Sequence, residues 1–195
     1  MTNVHAPTNK KTEEVNKEFY TLLKQNINQI ANSDIEIILG DFNAKVDKED
    51  TYKPTTGNES LHNETNNNRI KMIHFAISKG FNVRNTTLPH KDIHKETWYL
   101  ADSRTAKQID HILISNRFGC AVTDIRAIRG PDIGTDHNLL KINFKVKFFF
   151  YCKELRIYNL LLWSNKQMWG GRRRREGVVV HQRDSVSPYR AVGSG

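Results

Sequence analysis

Apolar and polar positions along the chain fall into two periods. Between residues 12 and 30, Val15, Phe19, Leu22, Leu23, Asn26 and Ile30 recur near 3.6, with Glu13 and Glu14 where a first turn would be. This predicts an amphipathic helix. A second helix is predicted over 69–79, with Ile70, Ile73, Ala76 and Ile77 on one side and Gly80 as its C-terminal cap. Residues 35–39 form a short apolar run that ends at Gly40, which predicts a buried strand. Further strands are predicted at 81–83, 97–100, 108–115, 123–129 and 140–146. In the last, Leu140, Ile142, Phe144 and Val146 alternate with Lys141, Asn143, Lys145 and Lys147, so one face is buried and one solvated. Residues 47–68, rich in Asn, Thr and Glu and containing Pro54 and Gly57, predict a long polar loop. The mixture of helix and strand implies an α/β (α+β) fold.

Beyond Lys147 the pattern changes. Aromatic clusters without a sustained period, a block of four arginines (172–175) and a Ser/Gly/Pro-rich ending predict an irregular, basic tail over 148–195, apart from a domain over 1–147. No internal repeat is visible.

At 195 residues the chain is long enough for one sizeable core. With 37% hydrophobic and 26% charged residues it lies on the polar side of globular proteins, and no apolar run approaches the ~20 residues of a membrane span. No membrane association is expected. The start lacks the apolar stretch of a secretory signal, and two cysteines, Cys120 and Cys152, suit a reducing, intracellular compartment. The formal net charge of +9 would suit a polyanion such as nucleic acid. Its distribution qualifies this. From Tyr151 onward nine Lys or Arg face three acids, whereas residues 1–150 hold 21 basic and 18 acidic side chains. The arginine block reads either as a nuclear-localisation or nucleic-acid patch or as unrelated appended sequence.

Three places combine apolar strands with chemistry. In GDFNAKV, Asp41 and Asn43 stand just past a buried strand, where α/β folds bind ligands, and in extended backbone they would project the same way. Both are also common turn formers, so a site and a plain turn remain equal readings here. In QIDHILIS, Asp110 shares the apolar face of Ile112 and Ile114, a costly position unless the carboxylate is paired. In GPDIGTDHNLL, Asp136 and His137 precede another strand. Asp136 suits a hard cation, His137 a phosphate, and Asp110 would orient the imidazole as a triad acid does.

These three motifs, in this order, resemble the last three motifs of the endonuclease/exonuclease/phosphatase superfamily. TLPHKDIHKETW and RGPDIGTDH are similar in particular to craniofacial development protein 2-like and non-LTR retrotransposon endonuclease–reverse transcriptase sequences, over roughly residues 4–147. The resemblance implies a partial four-layer α/β sandwich of two mixed β-sheets flanked by helices, the C-terminal half to two-thirds of the family domain. It also implies phosphodiester hydrolysis of the DNA endonuclease type, with Mg²⁺ or Mn²⁺ as cofactor and DNA or another nucleic acid as partner. Residue by residue, it implies that Asp41 orients or deprotonates the attacking water and that Asn43 contacts the scissile phosphate. His137 would bind that phosphate and stabilise its charge, Asp110 would hold His137, and Asp136 would be the metal-associated aspartate. Trp98 matches a family tryptophan, and as a residue type it reads as a core aromatic.

Two departures accompany the resemblance. His5 in VHAPT stands where the family has tyrosine, and its imidazole would donate to the substrate phosphate. The family's first half, with its asparagine and principal metal-binding glutamate, is not matched in this sequence. Weak metal binding, impaired hydrolysis and self-association through exposed sheet edges are therefore expected, in the nucleus ahead of the cytoplasm. The alternative is a non-catalytic mobile-element remnant that binds nucleic acid through its basic tail.

Overall fold

Ile37, Ile38 and Leu39 are apolar on both sides of the backbone, and a strand buries such a run only when both its faces are covered. The computed structural model, which describes residues 1–31, 34–100, 105–129, 135–147, 155–162 and 178–183, shows how this is done. Thr2–His5 (β1) lies parallel to Ile37–Asp41 (β2), which pairs antiparallel with Asp110–Ser115, and that strand pairs with Phe81–Val83. In chain order, Phe81–Val83 is β3, Trp98–Tyr99 and Ala106–Lys107 are the short antiparallel β4 and β5, and Asp110–Ser115 is β6. The mixed first sheet thus runs β1-β2-β6-β3. A second sheet, ordered β10-β9-β8-β7 and antiparallel throughout, comprises Val122–Ile128 (β7), Leu139–Lys147 (β8), Leu155–Leu162 (β9) and Val178–Arg183 (β10). Strands β9 and β10 come from the segment expected to be irregular. Pairing of β9 with β8 and of β10 with β9 supplies an order that their own sequence does not announce. The arginine block 172–175 lies outside the described residues.

One face of the first sheet carries Ile38, Phe42, Phe81, Val83 and Leu113 against two helices, Glu13–Asn28 (α1) and Asn67–Lys79 (α2). The other presents Ile37, Leu39, Ile112 and Ile114 to Ile125, Ala127, Leu140, Ile142 and Phe144 of the second sheet. A helical layer, the mixed sheet and the second sheet are therefore stacked, with apolar contacts at both interfaces. Among the described residues no helix is long and apolar enough to cross a membrane.

Both helices occur where periodicity places them, but the buried stripes differ from those expected. In α1 the buried residues are Asn16, Tyr20, Leu23 and Ile27, while Val15, Leu22 and Asn26 are exposed. Asn16 tolerates burial because its Nδ2 donates to Thr12 O (3.1 Å). In α2, which starts at Asn67 two residues before the expected position, Met72, Ile73, Phe75 and Ala76 are buried while Ile70 and Ile77 are exposed. Gly80 caps α2 in the left-handed conformation (φ 65°), as predicted. The polar loop of residues 47–66 is anchored by Arg69, whose guanidinium meets Asp47 at 2.6 Å in a buried ion pair and Glu49 at 3.2 Å.

Strand β2 does not stop at Gly40 but continues through it to Asp41. Gly40 has φ 136°, and a Cβ there would lie 2.0 Å from Val4 O, so only glycine lets β1 pair at this point. β1 itself was not apparent from the sequence; four residues alternating between partial and full exposure give little period signal. Gly40→Ala should therefore cost more than about 3 kcal/mol in urea unfolding, from backbone strain together with a steric clash. Gly80→Ala, whose added Cβ meets nothing within 4 Å, should cost only about 1 kcal/mol for the left-handed backbone. Equal losses in the two variants would contradict this account.

Candidate active site

The register of the first sheet assembles the site. Asp41 is the cross-strand partner of Asp110, and His5 is the partner of Asp41 on the other side. By the two-residue alternation, all three project on the face of Leu39 and Ile112, so a polar row His5, Asp41, Asp110 continues the apolar rows between the sheets. Cross-strand neighbours of this kind have Cβ atoms about 4.5–5.5 Å apart. Asp110 is 3% exposed, and this buried carboxylate is met from the opposite side by His137, whose Nδ1 donates to Asp110 Oδ2 at 3.0 Å. The backbone N–H groups of Ile109 and Asp110 both donate to Thr97 Oγ1 (3.0 and 3.1 Å).

His137 reaches this position because its segment pairs with β4. Trp98 and His137 form an antiparallel bridge, Tyr99 N donates to Asp136 O (2.9 Å) and Asn138 N to Thr97 O (2.8 Å). Trp98 is not the core aromatic expected of it. It is half-buried, donates from Nε1 to Asp136 Oδ2 at 2.6 Å, and carries the Lys107 ammonium 4.4 Å from its ring centroid. The indole N–H needs a partner, and the Asp136 carboxylate supplies it.

Asp41 and Asn43 do come together, by a route other than extended backbone. Asn43 has φ 49°, a conformation that asparagine adopts more readily than most residues, and its backbone N donates to Asp41 Oδ1 at 2.7 Å. The turn reading and the site reading describe the same geometry. Asn43 Nδ2 donates to Asp41 Oδ2 (3.0 Å) and to Ala6 O (2.9 Å), while His5 Nδ1 lies 3.3 Å from Asp41 Oδ2. The start of α2 braces the turn from behind. Asn66 donates to Asn43 O (2.7 Å) and accepts from Lys45 N, and Asn68 donates to Pro7 O (2.8 Å).

Five side chains with no role assigned from the sequence complete the support. His111, fully buried on the other face of β6, donates from Nε2 to Ala44 O (2.8 Å), and its Nδ1 lies 3.2 Å from Asn85 Nδ2, so the neutral ring accepts from Asn85. Asn85 Oδ1 in turn accepts from Ile112 N (3.3 Å). Gln108 N donates to His62 Nε2 (3.0 Å), and Gln108 Oε1 accepts from Leu61 N. With Thr97 these residues hold the ends of β2 and β6. Their one sequence signal is polarity inside buried stretches, which does not name partners.

The charges follow from this packing. Burial works against a charged His137 ring, but the Asp110 hydrogen bond and carboxylate, with Asp41 and Asp136 nearby, outweigh it and raise its pKa. Burial pushes the Asp110 carboxyl up as well, partly countered by its bond to His137, so the two groups titrate as a pair. Burial lowers His111 to about 4 and His62 to about 4.

Asp136, expected at a cation, has its side chain 60% exposed and gives one oxygen to Trp98. Among the described residues no three His, Cys, Asp or Glu side chains lie together as a metal site, and the oxygens of Asp41 are engaged by Asn43 and His5. Mg²⁺ is ordinarily anchored by one or two carboxylates with waters and phosphate oxygens completing its shell. The residues present do not form a complete site for it.

Comparison with known proteins bears on the fold. No family model matches the chain. It is 29% identical over 157 residues to craniofacial development protein 2 of Bos taurus, covering 80% of this chain and 26% of that protein. The same protein of Tragulus javanicus is 29% identical over 153 residues, covering 78% and 26%. The chain thus spans about a quarter of the length of the curated relatives it matches. Among solved structures it is similar to a 3′ phosphatase from Neisseria bound to a product DNA hairpin, with TM-score 0.53, 19% identity, and 73% of this chain and 59% of that one covered. A 3′-5′ exonuclease from Neisseria meningitidis gives TM-score 0.51 and 18% identity, with the same coverage. The resemblance to craniofacial development protein 2 and the mixed α/β fold are thereby borne out, the fold being one this chain shares with the two Neisseria enzymes.

Two measurements probe the site. Asp110→Asn should lower the His137 titration midpoint followed by NMR, because the carboxylate that outweighs burial is gone; an unchanged midpoint would show that Asp110 does not set it. The unfolded chain takes up a proton at residue 111 near pH 6.5, whereas the folded chain does so only near 4. Stability should therefore fall between those values, by on the order of 3 kcal/mol from this ring alone. His111→Gln should flatten that part of a urea-midpoint profile against pH. The raised His137 contributes with the opposite sign, its stabilisation complete below 6.5 and lost as pH rises through its folded value.

Proposed function

We propose that this chain hydrolyses phosphodiesters of nucleic acid, DNA in the first instance, in the manner of a retrotransposon-type endonuclease. The observation that carries this reading is the pairing of two prepared groups at one sheet edge. The His137 ring is oriented through Nδ1 by a buried carboxylate, and Asp41 is fixed by Asn43 in the adjacent row. In this reading Asp41 orients water and takes its proton as the water oxygen bonds to phosphorus. The ester bond opposite breaks, and the leaving oxygen acquires a proton from solvent. His137, with its raised pKa, presents an N–H at Nε2 to a phosphate oxygen and meets the charge that accumulates there. Asp110, accepting from Nδ1–H, favours the doubly protonated ring in which that Nε2–H is present, and His5 offers a second imidazole to the phosphate. The two N–H groups of Asn43 are already engaged by Asp41 and Ala6, so its own contact with the phosphate requires exchange of the Ala6 bond. The Neisseria phosphatase of similar fold, solved on a DNA hairpin, supports DNA as the substrate class.

Mg²⁺ or Mn²⁺ belongs to this reading as a weakly held ion, since Asp136 and Asp41 offer one carboxylate each; when bound it would neutralise phosphate charge. The prior engagement of both carboxylates, by Trp98 and by Asn43 and His5, favours a second reading, in which the chain binds nucleic acid without cutting it.

Nicking of supercoiled plasmid with and without Mg²⁺ separates the two. Under the first reading the folded chain nicks, and His137→Ala lowers the rate by about 100-fold or more. Soluble, folded protein that retains DNA but leaves it intact would select the second.

A further inference from the structure

Strand β7 runs beside β8 with Arg126 directly opposite Lys141. On either side, Ile125, Ala127, Leu140 and Ile142 point into the core, so Arg126 and Lys141 share the outer face of the second sheet. Like charges facing each other across an antiparallel pair are unfavourable unless an anion intervenes. Asp124 meets only Nε of Arg126 (3.0 and 3.1 Å), and among the described residues neither the terminal nitrogens of Arg126 nor Lys141 Nζ has a partner. These two side chains line a cleft of about 400 Å³ with His94, Arg129, Ile93 and Ile128. Arg129 is bonded to Glu96, and its guanidinium lies 5.1 Å from the Tyr99 ring centroid.

We infer that this cleft is a second phosphate-backbone site, holding nucleic acid that extends away from the residues around His137. Three features of the cleft select a nucleic acid. Its unpaired donors are cationic, its wall is apolar at Ile93 and Ile128, where sugar and base would lie, and its Lys141 stands near the start of β8, the strand that His137 precedes. Tyr99, under Arg129, directly follows Trp98, which pairs with His137 and carries Lys107 over its ring. Lys141 lies four residues beyond His137, at most about 13 Å along an extended chain. That is roughly four nucleotide steps at 3.4 Å each in duplex DNA. The inference takes from the proposed function only its substrate class.

The test is the salt dependence of DNA binding by the unmodified chain and by Arg126→Gln/Lys141→Gln, read with a labelled 20-base-pair duplex, together with turnover of bis(p-nitrophenyl) phosphate. Neutralising two phosphate contacts should reduce the slope of log K against log salt by about 2 and weaken binding at low salt by tenfold or more. The small ester, too short to reach the cleft, should be turned over at an unchanged rate, and the thermal midpoint should hold or rise as the repulsion is removed. An unchanged slope in the folded double variant would overturn the inference, as would displacement of the duplex by polyglutamate at equal charge. If the unmodified chain fails to turn over the small ester, the hydrolytic reading falls, while the binding slopes still decide this one.

Discussion

The hydrogen bond between His137 Nδ1 and Asp110 Oδ2 joins the two halves of the structure. Asp110 ends the stack of apolar residues between the sheets, at a depth where an unpaired carboxylate would cost several kcal/mol. Its partner has to come from the far side of that interface, and His137 arrives at the entrance to β8, fixed by the bridge to β4. The sheets are held at this edge by a polar contact that also fixes the imidazole's tautomer and raises its proton affinity. One bond thus closes the sandwich and prepares a chemical group.

The rest of the site follows from sheet register. Once β2 and β6 pair with Ile37 opposite Ile114 and Leu39 opposite Ile112, Asp41 falls opposite Asp110 without any further requirement. The parallel pairing of β1 then brings His5 beside Asp41, and the absence of a side chain at Gly40 permits that strand to approach. A slip of one residue would send every one of these side chains to the helical face. On that face His111, held neutral between Ala44 and Asn85, marks how different the two environments are. A histidine there is a structural donor and acceptor, whereas the one between the sheets has its proton affinity raised by its surroundings.

The cation side of the arrangement is sparse by comparison. Trp98 occupies one oxygen of Asp136, and the carboxylate of Asp41 is tied to Asn43 and His5. These bonds leave the described residues little for a metal shell. The positive side chains on the outer face of β7 and β8, and Lys107 over Trp98, concentrate cationic charge outside those bonds.

The motifs and most of the strands were legible in the sequence by itself. Apolar runs of strand length, the two helices, the Gly80 cap, and a carboxylate at Asp110 that has to be paired are all local properties, set by side-chain periodicity and desolvation. Which face of each helix is buried was not legible, because α1 and α2 carry more apolar residues than the sheet covers. Asn16, Asn68 and Arg69 are buried through hydrogen bonds or an ion pair made possible by their neighbours. Strand β1, the role of Trp98, the network of His111, Asn85, Gln108 and His62, and the strands after residue 147 were decided by tertiary structure alone. In each case the partner that satisfies the polar group, or the strand that completes the pairing, lies far away in the chain, and no local pattern encodes a distance in space.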